Sequence, residues 1–279
     1  MSAAPSLPCL AGIGLRTPHI AQVRRDRPPI GWLEVHSENY FVDGGPALAA
    51  LDAVRADYPL SLHGVGMSLG SAEALDTGHL RRLKRLVERI EPAAVSEHLC
   101  WGRVDGRHLN DLLPLPFSDE ALAVCCDRVD AVQRALRRPL LVENVSAYLR
   151  FGGDTMTEWD FVAAVVRRTG CKLLFDVNNV YVNAVNHGFD PLLFVDAIPG
   201  DAVAEIHLAG FDASGRCLID NHGARVAPPV WALYRATVER FGPKPTLLEW
   251  DTNLPALEVL LDEANTAQAV LEQADALAA

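Results

Sequence analysis

The chain contains no apolar run that reaches the ~18 residues a membrane span needs. Its opening, MSAAPSLPCLAG, has no basic region followed by an apolar core. Neither a transmembrane segment nor a secretory signal is therefore expected. Positive charge is also scarce: 25 Lys and Arg against 36 Asp and Glu leave a net charge of -11. That balance argues against non-specific nucleic-acid binding through the global field. The basic run Arg81-Arg82-Leu83-Lys84-Arg85 falls in a helical pattern and reads as a solvated face. CxxC spacing is absent from the six cysteines, Cys9, Cys100, Cys125, Cys126, Cys171 and Cys217, which excludes a zinc ribbon and a thioredoxin site. Scattered thiols suit a reducing cytoplasm, and Cys125 and Cys126, in a helical pattern, read as core-filling. Aromatics are sparse, but hydrophobic residues make up 49% of the chain, ample for a sizeable core. With no repeat, low-complexity stretch or linker, residues 1–279 read as one domain.

What is present is an alternation of short apolar runs with amphipathic helical patterns. The strand candidates are Ala11–Gly14, Trp32–His36, Leu60–Val65, Ala94–His98, Leu140–Asn144, Lys172–Val177, Ala204–Ala209 and Thr246–Asp251. Helical patterns occupy Pro46–Tyr58, Asp76–Ile90, Ser118–Leu136, Thr157–Thr169, Pro191–Ile198, Pro228–Phe241 and Leu254–Leu277. Ser118 and Thr157 stand where helix N-caps are expected, and Pro46 and Pro228 where a first turn accepts proline. Eight strands alternating with helices predict a single (β/α)8 TIM barrel of the α/β class.

The ends of these strands carry the chemistry. Apolar residues alternate with polar ones, and the polar face holds His63, His98, Glu143, Asp176, His207 and Glu249. Each lies at or near its strand's C-terminal end, where barrel active sites are built. A loop after the seventh strand adds Asp220 and His222. Four carboxylates converging on one cavity repel, and burying them unpaired costs several kcal/mol each, on the order seen for buried ions. Divalent cations relieve that cost. Mixed with four imidazoles, the carboxylates suit iron, zinc or manganese better than calcium or magnesium. Eight donors exceed the needs of one ion, so at least two ions with a bridging carboxylate are expected.

Other residues receive weaker assignments. Asn179 is read as either a weak ligand or a turn cap, and Asn144 as a support for Glu143. His36, with Glu34 on its face, is read as a non-ligand, and His187 as a loop turn. His19, His79 and His108 are read as surface histidines. Glu97 is polar at an outward position and is read as a partner for a helix.

The runs GIGLR at Gly12, WLEVHSENYF at Trp32, SLHGVGMSLGS at Ser61, SEHLCW at Ser96, VENVS at Val142, FDVNNVYVN at Phe175, EIHLAG at Glu205, IDNH at Ile219 and LLEWD at Leu247 together resemble the multinuclear non-haem iron-dependent oxidative enzymes. These are xylose-isomerase-like barrels and include the iron-dependent oxidases of methanobactin biosynthesis. The resemblance runs from about Gly12 to Asp251. It implies two or three iron ions, dioxygen as co-substrate, and oxidative modification of cysteine in a ribosomally made precursor peptide. It also implies a separate partner protein that presents the peptide. Carried over by motif, His63 and His98 are ligands of one iron and Glu143 is the bridge. Asp176, His207 and Glu249 are ligands of the next, and Asp220 and His222, with Asn179 as the variable member, form a third set. Glu143, Asp176, His207 and Glu249 are the residues placed closest to the chemistry.

The expected activity is thus a peptidyl-cysteine oxidase with no nucleic-acid or membrane partner. The acidic net charge suits a leader or partner with basic character. A metal-dependent hydrolase or isomerase on the same barrel, such as a trinuclear zinc phosphodiesterase using metal-bound hydroxide, is the alternative. A metal-storage or metal-sensing protein is a third reading.

Overall fold

Eight parallel strands close into a barrel: β1 (Ala11–Gly14), β2 (Trp32–His36), β3 (Leu60–Gly64), β4 (Ala94–His98), then, after a hairpin of β5 (Trp101–Val104) and β6 (Arg107–Leu113), β7 (Leu141–Glu143), β8 (Lys172–Asp176), β9 (Val203–Leu208) and, after the short pair β10 (Phe211–Asp212) and β11 (Ile219–Asp220), β12 (Thr246–Leu248). The computed structural model describes residues 6–278. Neighbours around the barrel follow chain order, β1-β2-β3-β4-β7-β8-β9-β12, and β12 returns to β1 through Ala11 opposite Thr246. The (β/α)8 expectation holds. All eight strand candidates are found: β1, β2 and β4 with the expected bounds, β3, β7, β8 and β12 shorter by one to three residues, and β9 shifted by one residue towards the N-terminus.

Around the barrel run α1 (Thr17–Asp26), α2 (Pro46–Arg55), α3 (Thr77–Ile90), α4 (Asp119–Leu136), α5 (Glu158–Thr169), α6 (Val177–His187), α7 (Pro191–Ala197), α8 (Pro228–Phe241) and α9 (Leu257–Ala278). Their apolar stripes face the sheet. In α3 that stripe is Leu83, Leu86, Val87 and Ile90, and in α4 it includes Cys125, Cys126, Val129 and Val132, so both cysteines fill core. Ser118 accepts from the Ala121 amide and Thr157 from the Asp160 amide, as N-caps do. Outward strand residues such as Leu60, Leu62 and Val95 join this core, leaving the polar face of each strand for the barrel interior.

Two helices and two short strand pairs were not expected. The run FDVNNVYVN alternates like a strand, yet α6 starts at Val177. The Asp176 side chain caps it, accepting the Asn179 amide at 2.6 Å, and so turns the chain into a helix at the strand's end. Helix α1 begins with Thr17 and Pro18. The hairpin β5–β6 turns at Asp105-Gly106, both at positive φ (50° and 70°), the backbone a two-residue hairpin loop prefers. The pair β10–β11 presents Asp220.

Two of the three histidines read as surface residues are buried. His19 Nε2 meets the Pro255 carbonyl at 2.8 Å, and His79 Nε2 pairs with Glu38 at 3.1 Å. Each sits on the inner face of its helix, so the polar ring is packed inward and needs a partner. His108 is exposed, on β6. Glu97 is outward but buried, accepting the backbone amides of Met67 and His98. It lies so close to Gly64 that a Cβ there would collide with its carboxylate.

Candidate metal centre

The C-terminal ends of the barrel strands converge. β3 delivers His63, β4 His98 and β7 Glu143, and each imidazole Nε2 approaches Glu143 Oε2, at 3.4 and 3.3 Å. His98 is oriented by its Nδ1–H, which donates to the Gly64 carbonyl at 3.0 Å, and His63 Nδ1 meets Ser96 Oγ at 2.8 Å. Both Nε2 atoms are thereby turned towards Glu143. The same carboxylate belongs to a second group with Asp176 at the end of β8, His207 on β9 and Glu249 just past β12. His207 Nδ1 lies 3.0 Å from Glu249 Oε2 and 3.8 Å from Glu143 Oε1. Each group of donor atoms fits within 4.8 Å, and Glu143 is common to both.

The third expected set is attached at the rim. His222 Nε2 is 2.6 Å from Asp220 Oδ1, and His222 Nδ1 is 2.9 Å from Asp251 Oδ2 and 3.5 Å from Glu249 Oε2. Asn179, on the first turn of α6, is buried. Its Nδ2 donates to the Asn144 carbonyl at 3.1 Å, which turns Oδ1 away unpaired. Asn144 supports the neighbouring ligand rather than joining the set: its amide exchanges two hydrogen bonds with the Asp176 backbone. His187 closes α6 on the Ala147 carbonyl, outside the set. His36, Asn179, Asp220, His222, Glu249 and Asp251 all line a cavity of about 290 Å3 at the barrel mouth.

Four residues not assigned to the site from sequence, Arg16, Glu34, Glu205 and Asp251, are part of it. Arg16, just after β1, is buried; it reaches Glu249 Oε1 at 3.0 Å and Asp251 Oδ1 at 2.7 Å, and its Nη2 meets His36 Nε2 at 3.0 Å. Below the cavity, His207 Nε2 faces Glu34 Oε2 and Glu205 Oε1, both at 3.3 Å and all fully buried. The signals were a lone cation closing GIGLR and a carboxylate two residues before a strand-end histidine in both WLEVH and EIH.

The electrostatics describe an unbalanced cluster. Burial pushes Glu143 up to about 8 against the pull of His98 and His207. Burial, reinforced by Asp220, takes Asp176 up to about 7, and burial takes Glu34 up to about 7. Burial works against the charged form of His98, but Glu143 and Glu97 raise it to about 10. Burial holds His63 well below the usual imidazole range, assisted by His98. The carboxylates and imidazoles thus share protons that a divalent cation would displace. Glu143 Oε2, Asp176 Oδ2 and Asn179 Oδ1 are buried without a hydrogen-bond partner. Buried polar oxygens rarely go unpaired in a finished interior, and these three lie in the expected ligand set, so the residues present fit metal ions.

Fold and donor set together define a TIM-barrel protein with clustered carboxylate and imidazole donors at its C-terminal face. The chain belongs to the MbnB/TglH/ChrH family of RiPP precursor modification enzymes, whose model matches residues 10–272. It is 50% identical over 263 residues to a UPF0276 protein of Acaryochloris marina (94% of this chain, 95% of the relative). It is 48% identical over 268 residues to one of Vibrio parahaemolyticus (95% and 93%). Among solved structures it resembles endonuclease IV from Thermus thermophilus, with a TM-score of 0.63 and 17% identity over 95% of this chain and 100% of that one. It also resembles a D-psicose 3-epimerase, with a TM-score of 0.61 and 12% identity over 95% and 99%. At such identities the likeness is one of fold.

Proposed function

We propose that this protein carries out the iron- and dioxygen-dependent oxidative modification of cysteine in a ribosomally synthesised precursor peptide. The observation that carries the reading is the pair of donor groups sharing one buried carboxylate, Glu143, in a chain of a precursor-modifying family. In this reading His63, His98 and Glu143 hold one ion, and Glu143, Asp176, His207 and Glu249 a second. Asp220 and His222, with Asn179 Oδ1, hold a third. Bound iron supplies open positions for a thiolate and for dioxygen, and the redox capacity to take hydrogen from the cysteine β-carbon.

The chain's own residues orient this site. Arg16 holds Glu249 through Oε1 and leaves Oε2 towards His207. Asp251 holds His222, and Asp176 is held through its backbone by Asn144 and through Oδ1 by the Asn179 amide. A cavity of about 290 Å3 at the barrel mouth is large enough to admit a side chain. An extended peptide loses entropy on entering such a mouth, so a separate partner protein that presents it would raise its effective concentration.

Co-expression with candidate precursor peptides, followed by intact mass spectrometry, tests the reading. A mass shift should map to cysteine and vanish when that cysteine becomes serine. Modification that persists in the serine peptide, or stoichiometric non-exchangeable zinc with hydrolytic activity, contradicts it.

A further inference from the structure

Beside the mouth lies a larger cavity of about 620 Å3. Its walls come from the end of β3, from α3 and from the β5–β6 hairpin. Val65 and Leu112 line both this cavity and the smaller one over the donor set, so the two meet at these side chains. At its other end, Phe41 and Arg82 also line a third hollow of about 260 Å3, which includes Arg85 and Arg89. The three form a track from the metal ligands to the exposed face of α3.

A small thiol would need only the cavity over the ligands. The additional length suits a longer substrate, and the lining suits a peptide: Phe41, Val65 and Leu112 offer apolar contact, while His79 and Asp111 are polar. The outer end is basic on an acidic chain. The Arg82 guanidinium stands 5.6 Å from the Phe41 ring centroid and has no carboxylate partner among the described residues. Arg85 reaches Asp43 only at 3.9 Å, and that Asp43 side chain is 99% exposed. Arg89 is committed to Asp52 at 2.7 Å. Two arginines with little local neutralisation thus border a track that leads to the donor set.

We propose that this track holds the part of the precursor peptide that flanks the modified cysteine, and that this part is acidic where it passes Arg82 and Arg85. The proposal rests on the function given above. It also reverses, for this face, the expectation drawn from net charge that the peptide's leader is basic: the local field is set by α3, not by the sum over the chain.

The test uses a short fluorescein-labelled peptide with one cysteine flanked by glutamates, and its counterpart with glutamines, in fluorescence anisotropy with the full-length protein. The glutamate peptide should bind about tenfold tighter at low salt, with the difference shrinking as salt rises, because exposed charges are screened. Arg82→Glu combined with Arg85→Glu should abolish the preference while leaving iron content and Tm unchanged. Equal binding of the two peptides, binding of neither, or an unaltered preference in the double variant overturns the track. Mass spectrometry of the same mixtures with ferrous-loaded protein in air separates the two readings. Glutamate-dependent binding without a cysteine mass change, together with no cysteine mass change in co-expressed candidate precursors, removes the function and leaves a track for acidic peptide. Equal modification of both peptides, untouched by arginine reversal, leaves the function and removes the track.

Discussion

His207 is the side chain that ties the upper and lower halves of the site together. Its Nδ1 faces Glu249 and Glu143, and its Nε2 faces Glu34 and Glu205. A carboxylate on the far nitrogen fixes the tautomer and ring orientation of a metal-binding imidazole, and its loss typically costs about 10–100-fold in metal affinity. Glu34→Gln should therefore weaken one metal equivalent by about tenfold or more in chelator competition, while the equivalent at His63 and His98 is retained. The six strand-end donors, His63, His98, Glu143, Asp176, His207 and Glu249, were legible in the sequence because strand alternation puts them on the polar face. Arg16 and Glu34 were not, because β1 and β2 offered no ligand to draw attention to their ends. Asp251 was overlooked because it stands beside Glu249, which already accounted for that strand's polar end.

At the scale of elements, the barrel strands and most helices follow from periodicity, whereas the pieces that shape the mouth follow from single residues. Asp176 converts an alternating run into α6 by capping it, and Asp105-Gly106 makes the β5–β6 hairpin that walls the larger cavity. Neither is visible to a pattern read over ten or more residues. The connection after β3 is held by carboxylates. Glu38 accepts the Val65 and Gly66 amides and pairs with buried His79, and Glu97 accepts the Met67 amide. His79→Ala should cost about 1–3 kcal/mol, since it leaves a partner of the pair unsatisfied, whereas His108→Ala, on the exposed hairpin, should stay within about 0.5 kcal/mol. Urea unfolding of both variants measures the difference.

A pH dependence belongs to the α5–α6 contact. Burial pushes Glu158 up to about 8, opposed by the hydrogen bond from Asn183. A carboxyl whose folded value is raised keeps its proton after the unfolded chain has lost it. Its contribution is therefore full below the ordinary glutamate range and falls as pH rises towards about 8. Glu158→Gln should remove that decline, so the Tm difference, variant minus wild type, should grow in the variant's favour between about pH 5 and about pH 8. A constant difference across that range would show that Glu158 is not the source.

At the scale of the whole molecule, a TIM barrel supports many chemistries, and the likeness to an endonuclease and to epimerases reports shared architecture alone. The charge of this chain is unevenly placed. Carboxylates and imidazoles are gathered at the mouth, and the basic residues of α3 stand beside the outer end of the larger cavity. No helix among the described residues is long and apolar enough to cross a membrane. The most direct measurement is Mössbauer spectroscopy, with parallel iron analysis, of protein reconstituted anaerobically with ferrous ion and then partly oxidised with a limiting amount of dioxygen, for the wild type and for Glu143→Ala. The account predicts about two to three irons per chain, magnetically coupled in the mixed-valence wild type, and a loss of more than one iron with loss of coupling when the shared carboxylate is removed. A wild type that binds a single uncoupled iron, or a Glu143→Ala variant that retains its full iron and its coupling, would contradict it.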